Sequence, residues 1–452
     1  MQIHKRKDGQ EQPFIPAGPF KIRMPFIHYR FEAAECIQAI TLSVVTISMI
    51  PLLQQYLGLP YEVAVAFIIV CGIGNMIPAL LGTPLVPGWI TPAVPLVVLF
   101  LGDYDPGPEA IQALVAVQLL VFLIFALLGL TRLGGKIVNV VPNSLKSGIV
   151  MGAGIAALLG EVEAGGRLMQ SPISITIGAL LTAYLMFSIS FKNLRDTSSI
   201  VRFISNYGMV PAILVAIAVG FLSSEYSVPE VEWGFVSPAF GEMWNYLPFV
   251  VGFPSFNTFL LAVPTAVIAY IIAYGDIIVG DTLVSKMDSL RSDEVIDNDP
   301  NRVHLVTAIR NLLHALFAPY VGLAGPVWTA ATATVLERYT FGKKAMESVF
   351  SGAGTFMLAN FIALFFLPLM TFFQPVLPIA LSLTLLVTGF LCIQVGMEQA
   401  KTSTEKGVAG VVAVVLAVHG AAYGLIAGVI LYFLVQKPYG QRLPQAKSSD
   451  IN

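Results

Sequence analysis

The sequence predicts an all-α polytopic membrane protein of fourteen spans, arranged as two inverted seven-span repeats with broken third and tenth spans. Three observations carry this expectation. Of 452 residues, 56% are hydrophobic and only 12% charged, about half the roughly 25% of an average soluble domain. The apolar residues fall into stretches near the ~20 that a bilayer crossing needs. Two proline-broken stretches occupy corresponding places in the two halves.

The same arithmetic excludes other classes. Mean hydropathy is +0.78, so too little polar surface exists to dissolve a folded chain. Twenty-five Lys and Arg against 27 Asp and Glu give a net charge of -2. That excludes a strongly basic nucleic-acid binder and an acidic disordered tail. Cys36, Cys71 and Cys392 lie in apolar runs without the paired spacing of a metal site, and an odd buried set argues against a disulfide framework. The first twenty residues are polar or Pro-rich, so no cleavable signal peptide is expected.

The candidate spans run near 33–53, 63–82, 84–101, 110–130, 143–160, 171–191, 207–223, 258–281, 303–321, 326–341, 345–369, 372–395, 407–420 and 421–436. Those at 84–101 and 326–341 are short or Pro-broken. The last boundary falls inside a nearly continuous Gly-rich apolar run. An even number of spans places both termini on one side. On that side lie Lys5, Arg6, Lys7, Lys21, Arg23 and Arg30, then Arg132, Lys136 and Lys146, then Lys192, Arg195 and Arg202. Lys286, Arg291 and Arg302 follow, with Arg338, Lys343, Lys344, Lys401, Lys406, Lys437, Arg442 and Lys447. The opposite side holds only Arg167, and Arg310 falls inside a span. The positive-inside rule then makes both termini cytoplasmic, in a bacterial inner (plasma) membrane.

The chain thus divides into a cytoplasmic arm (1–32), a first repeat (33–223), an exterior loop (224–257), a second repeat (258–436) and a cytoplasmic tail (437–452). The exterior loop has Glu225, Glu230, Glu232 and Glu242 but no Lys or Arg. The stretch 283–302, SKMDSLRSDEVIDNDPNR at its heart, is expected to be a solvated connection between halves.

The repeat rests on PLVPGWITPAVPLVV and AGPVWTAATATVL. Pro87-Gly88-Trp89 aligns with Pro326-Val327-Trp328, and Thr91 with Thr329. Each stretch is the third span of seven. A weaker pair surrounds Pro142 and Pro375, each entering a fifth span. Seven is odd, so the second half is inverted, and matching broken spans in inverted halves point to a transport site at the midplane. Pro84, Pro87, Pro92 and Pro95 forbid an ordinary helix over 83–95. Non-helical backbone at membrane depth survives only where protein or a water-filled cavity satisfies it. Chance recurrence of Pro-x-Trp at interfaces is the competing account.

Four stretches carry a family resemblance: IQAITLSVVTISMIP from Gln38 to Pro51, IPALLGTPLVPGWITPAVP, IIAYGDIIVGDTLV, and NLLHALFAPYVGLAGPVWTAATATV. In them the chain resembles the nucleobase–ascorbate transporter family, the uracil and xanthine permeases, and more distantly the sulfate permeases that share their fold. The resemblance implies a uracil-permease-like fold of two seven-span inverted halves, a core and a gate domain, and a homodimer. It also exposes departures. The His of the permeases' Gln-His motif is Ala39, their eighth-span Glu falls on Ile272, their tenth-segment Glu falls near Thr332, and a His one turn after the eighth-span Glu aligns with Asp276. The nucleobase-binding carboxylates are therefore missing. The sulfate-permease branch adds a C-terminal domain for which the tail after Gln436 is too short.

Asp276 and Asp281 both lie in the eighth span. A carboxylate at bilayer depth costs on the order of 2.5–3.5 kcal/mol on insertion scales and needs a reason. The two are about 7.5 Å apart along the axis and about 140° apart around it, so they form no dyad. Asp276 is read as the site of a coupling ion, H+ or Na+, with a structural pair to Arg310 as the alternative. Asp281 is a second coupling-ion candidate or an interfacial group. Arg310 and His314 share a helix face; Arg310 either neutralises Asp281 or meets an anionic solute, or both residues lie near the interface. Tyr270 and Tyr274 share a face for stacking or packing.

The candidate solute-binding residues are Gln38, Thr91, Val327, Trp328, Thr329 and Thr332. After Gly325-Pro326 a helix start presents free N–H groups and a positive dipole end. If the third segment does the same from the other side, two dipoles converge. The sequence has no HExxH, G-x-S-x-G or Walker loop, and its five His are scattered. No enzyme activity, cofactor or metal is expected. The expected function is secondary active transport of a small polar or anionic solute, symported with H+ or Na+ across the bilayer. A nucleobase permease and a passive anion channel or exchanger of the same fold are the alternatives.

Overall fold

The computed structural model describes residues 6–134, 141–163, 165–198, 201, 204 and 209–437. Lys5, Lys136, Arg202, Arg442 and Lys447, the side chain of Arg195 and the tail beyond Lys437 lie outside them. Each predicted span holds a principal helix. In the first half these are α1 (Ala33–Ile47), α2 (Tyr61–Leu80), α3 (Val94–Leu101), α4 (Pro108–Thr131), α5 (Asn143–Val162), α6 (Pro172–Phe187) and α7 (Val210–Leu222). In the second they are α8 (Phe256–Asp288), α9 (Pro300–Phe317), α10 (Thr329–Tyr339), α11 (Val349–Ala363), α12 (Leu377–Gln399), α13 (Ser403–His419) and α14 (Ala421–Leu431). Among the described residues, six helical stretches are by length and composition long enough to cross a membrane, and the rest are shorter.

Local chemistry sets the ends. Pro enters at the first turn of α4, α6 and α9, where its missing N–H costs nothing. Ser255, Asp299, Ser348 and Thr402 cap α8, α9, α11 and α13. The boundary between the last two spans sits at Gly420, whose φ of 91° only glycine adopts without strain. The first span is longer than expected: after Ile47 a second helix continues from Ile50 to Leu57.

The helices pack as two bundles. In the first, α1 lies on α11, α8 on α4, α9 on α4, and α2 on both α9 and α11. In the second, α5 lies on α12 and α13, α6 on α7 and α12, and α13 on α14. The second bundle is joined by small residues. A Cβ at Gly154 would lie 2.6 Å from the Gly389 carbonyl, so these two backbones touch. Ser147 Oγ donates to the Gly396 carbonyl nearby (2.5 Å). The first bundle is stitched by polar pairs instead: Asn360 bonds Thr46 and the Ala39 carbonyl, and Gln118 bonds both backbone groups of Tyr320.

The stretch 283–302 is only partly a solvated connection, because the N-terminal arm folds onto it. The arm carries the hairpin β1 (Ile15–Ala17) and β2 (Phe20–Ile22). Its backbone pairs with the α8–α9 loop through Gly9 N–H to Asp293 and Val295 N–H to Gln10, and with the end of α2 through Arg23 N–H to Leu80. Buried Arg6 bridges Asp293 (2.6 Å) and the Glu347 carbonyl (2.7 Å). Arg291 binds Asp293 and the carbonyls of Tyr339 and Met346. Burial pushes the Glu294 carboxyl above its ordinary range, against the pull of Arg6 and the Ser348 hydroxyl. Fully buried Arg23 pairs with Glu11 (2.5 Å) and stacks on Phe350 (3.8 Å).

The arm should therefore behave as part of the first bundle. Arg23→Ala removes an ion pair and a cation–π contact and should cost roughly 2 kcal/mol. The expected result is a lower unfolding temperature and new tryptic cleavage after Lys21. Unchanged values for both would mean the arm is held by something else.

Candidate functional site

The two broken segments meet. Strand β3 (Gly88–Trp89) pairs antiparallel with β4 (Ala324–Gly325), Gly88 opposite Gly325 and Trp89 opposite Ala324. Flanking bonds extend the crossing: Trp328 N–H to the Val86 carbonyl (2.7 Å) and Ile90 N–H to the Leu323 carbonyl (3.2 Å). The prolines that forbid a helix here leave the backbone one way to satisfy its polar groups away from water, and that is each other. Both glycines are required by proximity. A Cβ at Gly88 would lie 2.9 Å from the Trp328 Cβ, and one at Gly325 would lie 2.5 Å from the Trp89 carbonyl carbon.

Helix α9 grips the ribbon from behind. Arg310 donates to the Gly325 carbonyl (2.5 Å), the Gly88 carbonyl (3.0 Å) and Asn75 Oδ1 (2.5 Å). Asn311 donates to the Ala324 carbonyl (2.8 Å) and accepts from its N–H (3.0 Å). Arg310 is 0% exposed and makes no ion pair among the described residues. Neither carboxylate expected to meet it does so: Asp281 accepts from Asn298 (2.9 Å) at the loop end of α8, and Asp276 makes no ion pair among the described residues.

In front of the ribbon lies a cavity of about 880 Å³ between the two bundles. It runs from the crossing to Lys146 and Lys401, on the basic face identified from the sequence. Gln38, Thr91, Val327, Trp328, Thr329 and Asp276 all line it, so six of the eight residues singled out in the sequence come together. Asp276 projects from α8 with no hydrogen bond or ion pair among the described residues. The helix ends converge as well. The 3₁₀ turn at Thr91–Ala93 leads into α3, Thr329 opens α10, and no side chain caps either start. The start of α10 presents a partial positive charge at the cavity, while Pro92 and the Ala93–Ile90 bond leave the Thr91 turn few free N–H groups.

Two residues stand elsewhere. Thr332 does not line the cavity: its buried hydroxyl accepts from Val86 N–H (3.1 Å) and donates to the Val86 carbonyl (3.3 Å). Helix α10 starts at Thr329, so position 332 is almost a full turn on and points back at the other broken segment. Asp281 sits beyond the cavity, turned to Asn298. The cavity also holds Asn75, Asn360 and Tyr274, which sequence reasoning did not assign to a solute site. The signal for the two amides is their isolation within apolar helices, where a polar group needs a partner or a purpose.

Two substitutions separate scaffold from binding groups. Gly325→Ala should wedge the ribbon apart, costing roughly 1–3 kcal/mol and abolishing transport. Thr332→Val leaves the Val86 amide unpaired and should lower stability by roughly 1–2 kcal/mol, read as a lower unfolding temperature, with solute affinity little changed. A Thr332→Val protein of normal stability that no longer binds solute would place the hydroxyl in the cavity instead.

The fold recurs in known proteins. No curated protein matches the chain. Among solved structures, the transmembrane domain of a cyanobacterial bicarbonate transporter, BicA, is similar at 19% identity and a TM-score of 0.53, covering 87% of this chain and 96% of that one. The murine Solute Carrier 26 family member A9 anion transporter in the inward-facing state is similar at 16% identity and a TM-score of 0.56, covering 90% of this chain and 68% of that one. At these identities the likeness speaks for the fold. The permease-family profile, that of the xanthine and uracil permeases, matches residues 34–324. With that match over more than half its length, the chain belongs to the permease family and is an integral membrane transporter rather than an enzyme.

Proposed function

We propose that the chain is a secondary active transporter that symports a small polar or anionic solute with H+ or Na+, through a fold of two inverted seven-span halves. The observation that carries this is Asp276, a carboxylate without a partner among the described residues, facing the cavity at which the uncapped start of α10 lies. A carboxylate so placed needs a cation, and a helix start so placed suits an anion or a polar group.

The packing supports the inverted repeat. Under exchange of the first seven principal helices with the last seven, the α1–α11 contact becomes α8–α4, α2–α11 becomes α9–α4, and α5–α13 becomes α12–α6. All six contacts are present, and the β3–β4 ribbon maps onto itself. The face bearing Lys146 and Lys401 is the basic one, and with it cytoplasmic the cavity is open to the cytoplasm, consistent with the positive-inside rule. A bacterial inner membrane and a homodimer complete the reading, the dimer on family resemblance alone. The two solved relatives, a bicarbonate and an anion transporter by description, favour an anion.

A second reading is a neutral heteroaromatic ring. Trp89, Trp328 and Tyr274 line the cavity and offer stacking faces, and Asp276 could accept from a ring N–H. Uptake into proteoliposomes under an imposed H+ or Na+ gradient, with labelled bicarbonate, sulfate and uracil, decides between them. Asp276→Asn should fold normally and lose gradient-driven accumulation while still equilibrating solute. Concentrative uptake that survives in Asp276→Asn would remove the coupling role, and gradient-independent flux in the wild type would indicate a channel or exchanger.

A further inference from the structure

The clamp behind the ribbon is more highly charged than a clamp needs to be. The neutral amide of Asn311 holds both backbone groups of Ala324. One residue away, Arg310 does the same kind of job with a guanidinium, among the costliest groups to bury. Its acceptors are dipoles only: Asn75 Oδ1, the Gly88 carbonyl and the Gly325 carbonyl. Its Nε has no partner, and no carboxylate pairs with it among the described residues. Dipoles orient toward the charge without cancelling it, so a net positive charge remains.

Position gives that charge an outlet. Arg310 is fully buried and is not part of the cavity lining, yet two of its three acceptor residues, Asn75 and Gly88, are. The guanidinium therefore stands one residue behind the cavity wall, at the ribbon crossing. In front of the same place the uncapped start of α10 at Thr329 presents its positive end. Arg310 and Asp276 form no ion pair, so one charge in the cavity wall and an opposite one behind it leave each other unmatched.

We infer that Arg310 sets the sign of the solute: the crossing takes a small anion seated opposite the buried guanidinium, and a neutral ring is disfavoured. This rests on the reading of the cavity as the solute site. Arg310 acts through the wall as a positioning and specificity residue and does not touch the solute. The anion supplies the charge that Arg310 lacks and the coupling cation supplies the charge that Asp276 lacks, so loading both leaves neither site unbalanced.

The test uses the purified full chain and measures binding of sodium bicarbonate, sodium sulfate and uracil by thermal shift and calorimetry, against sodium gluconate. The wild type should bind at least one of the two anions more tightly than uracil, by about tenfold or more. Asn75→Asp places a carboxylate where the amide oxygen now bonds Arg310, keeping the guanidinium and both glycine contacts while cancelling the charge. Anion affinity should then fall by about tenfold or more, and Arg310→Gln, which removes the charge without adding a negative group to the cavity wall, should lower it likewise. Arg310→Lys, which keeps the charge, should retain the anion preference even where overall affinity drops. The inference is overturned by a folded Asn75→Asp protein that binds the anion as the wild type does, by a wild type that prefers uracil, or by one that binds neither anion. Gradient-driven uptake separates this from the transport reading. Concentrative uptake with unchanged Asn75→Asp binding sinks only the role of Arg310, whereas anion binding lost in Asn75→Asp without concentrative uptake in the wild type sinks only the coupled-transport reading.

Discussion

Backbone that cannot be helical inside a bilayer must find its hydrogen bonds in protein, and here two such stretches find them in each other. The prolines around 84–95 and at 326 remove donors and helical geometry. With no water to substitute, Gly88–Trp89 and Ala324–Gly325 pair across more than two hundred residues of sequence. Everything at the site follows from that crossing. It fixes where α3 and α10 begin, and so where the positive end of α10 points. It needs glycine at both central positions, because the strands approach too closely for a Cβ. It needs a grip from behind, which Arg310 and Asn311 provide from consecutive positions on α9.

The bundles on either side of the cavity are built by different means. The bundle bearing the ribbon is laced by buried amides, hydroxyls and the ion pairs of the N-terminal arm. The opposing bundle relies on glycines that let α5, α12 and α13 touch backbone to backbone. Directional polar contacts hold one arrangement strongly, since a shift leaves further buried groups unpaired. Close packing of small residues tolerates little separation but carries no such directional penalty. The cavity lies along the seam, where the two kinds of surface face each other and neither fills the space.

The charges at the site obey the same reasoning. A buried ion without a partner costs several kcal/mol, so a fold retains one only against a return. Asp276 faces the cavity itself. Arg310 lies behind the wall, where only its field acts. Their separation distinguishes this cavity from a structural ion pair, which would have drawn the two together and left the cavity electrically silent.

Much of the architecture was legible from the amino-acid order, because periodicity, proline placement and hydropathy are local properties. The apolar stretches located the principal helices and the Pro-x-Trp repeat marked the two broken segments, whereas the nearly continuous Gly-rich run left the last break to be placed by the structure at Gly420. Six of the eight candidate site residues share one cavity for the same reason: they cluster in the broken segments or on the helices beside them. What the tertiary structure alone decided depends on partners far away in the chain. Thr332 looks like a cavity hydroxyl until α10 is seen to start at Thr329, which turns it to Val86. Arg310 looks like a partner for a carboxylate until the ribbon takes its donors. The acidic loop near 294 reads as solvated until the arm, some three hundred residues earlier, supplies Arg6 and Gly9 to it. A side chain's type is written in the sequence, but the group that satisfies its hydrogen bonds and charge is chosen by packing.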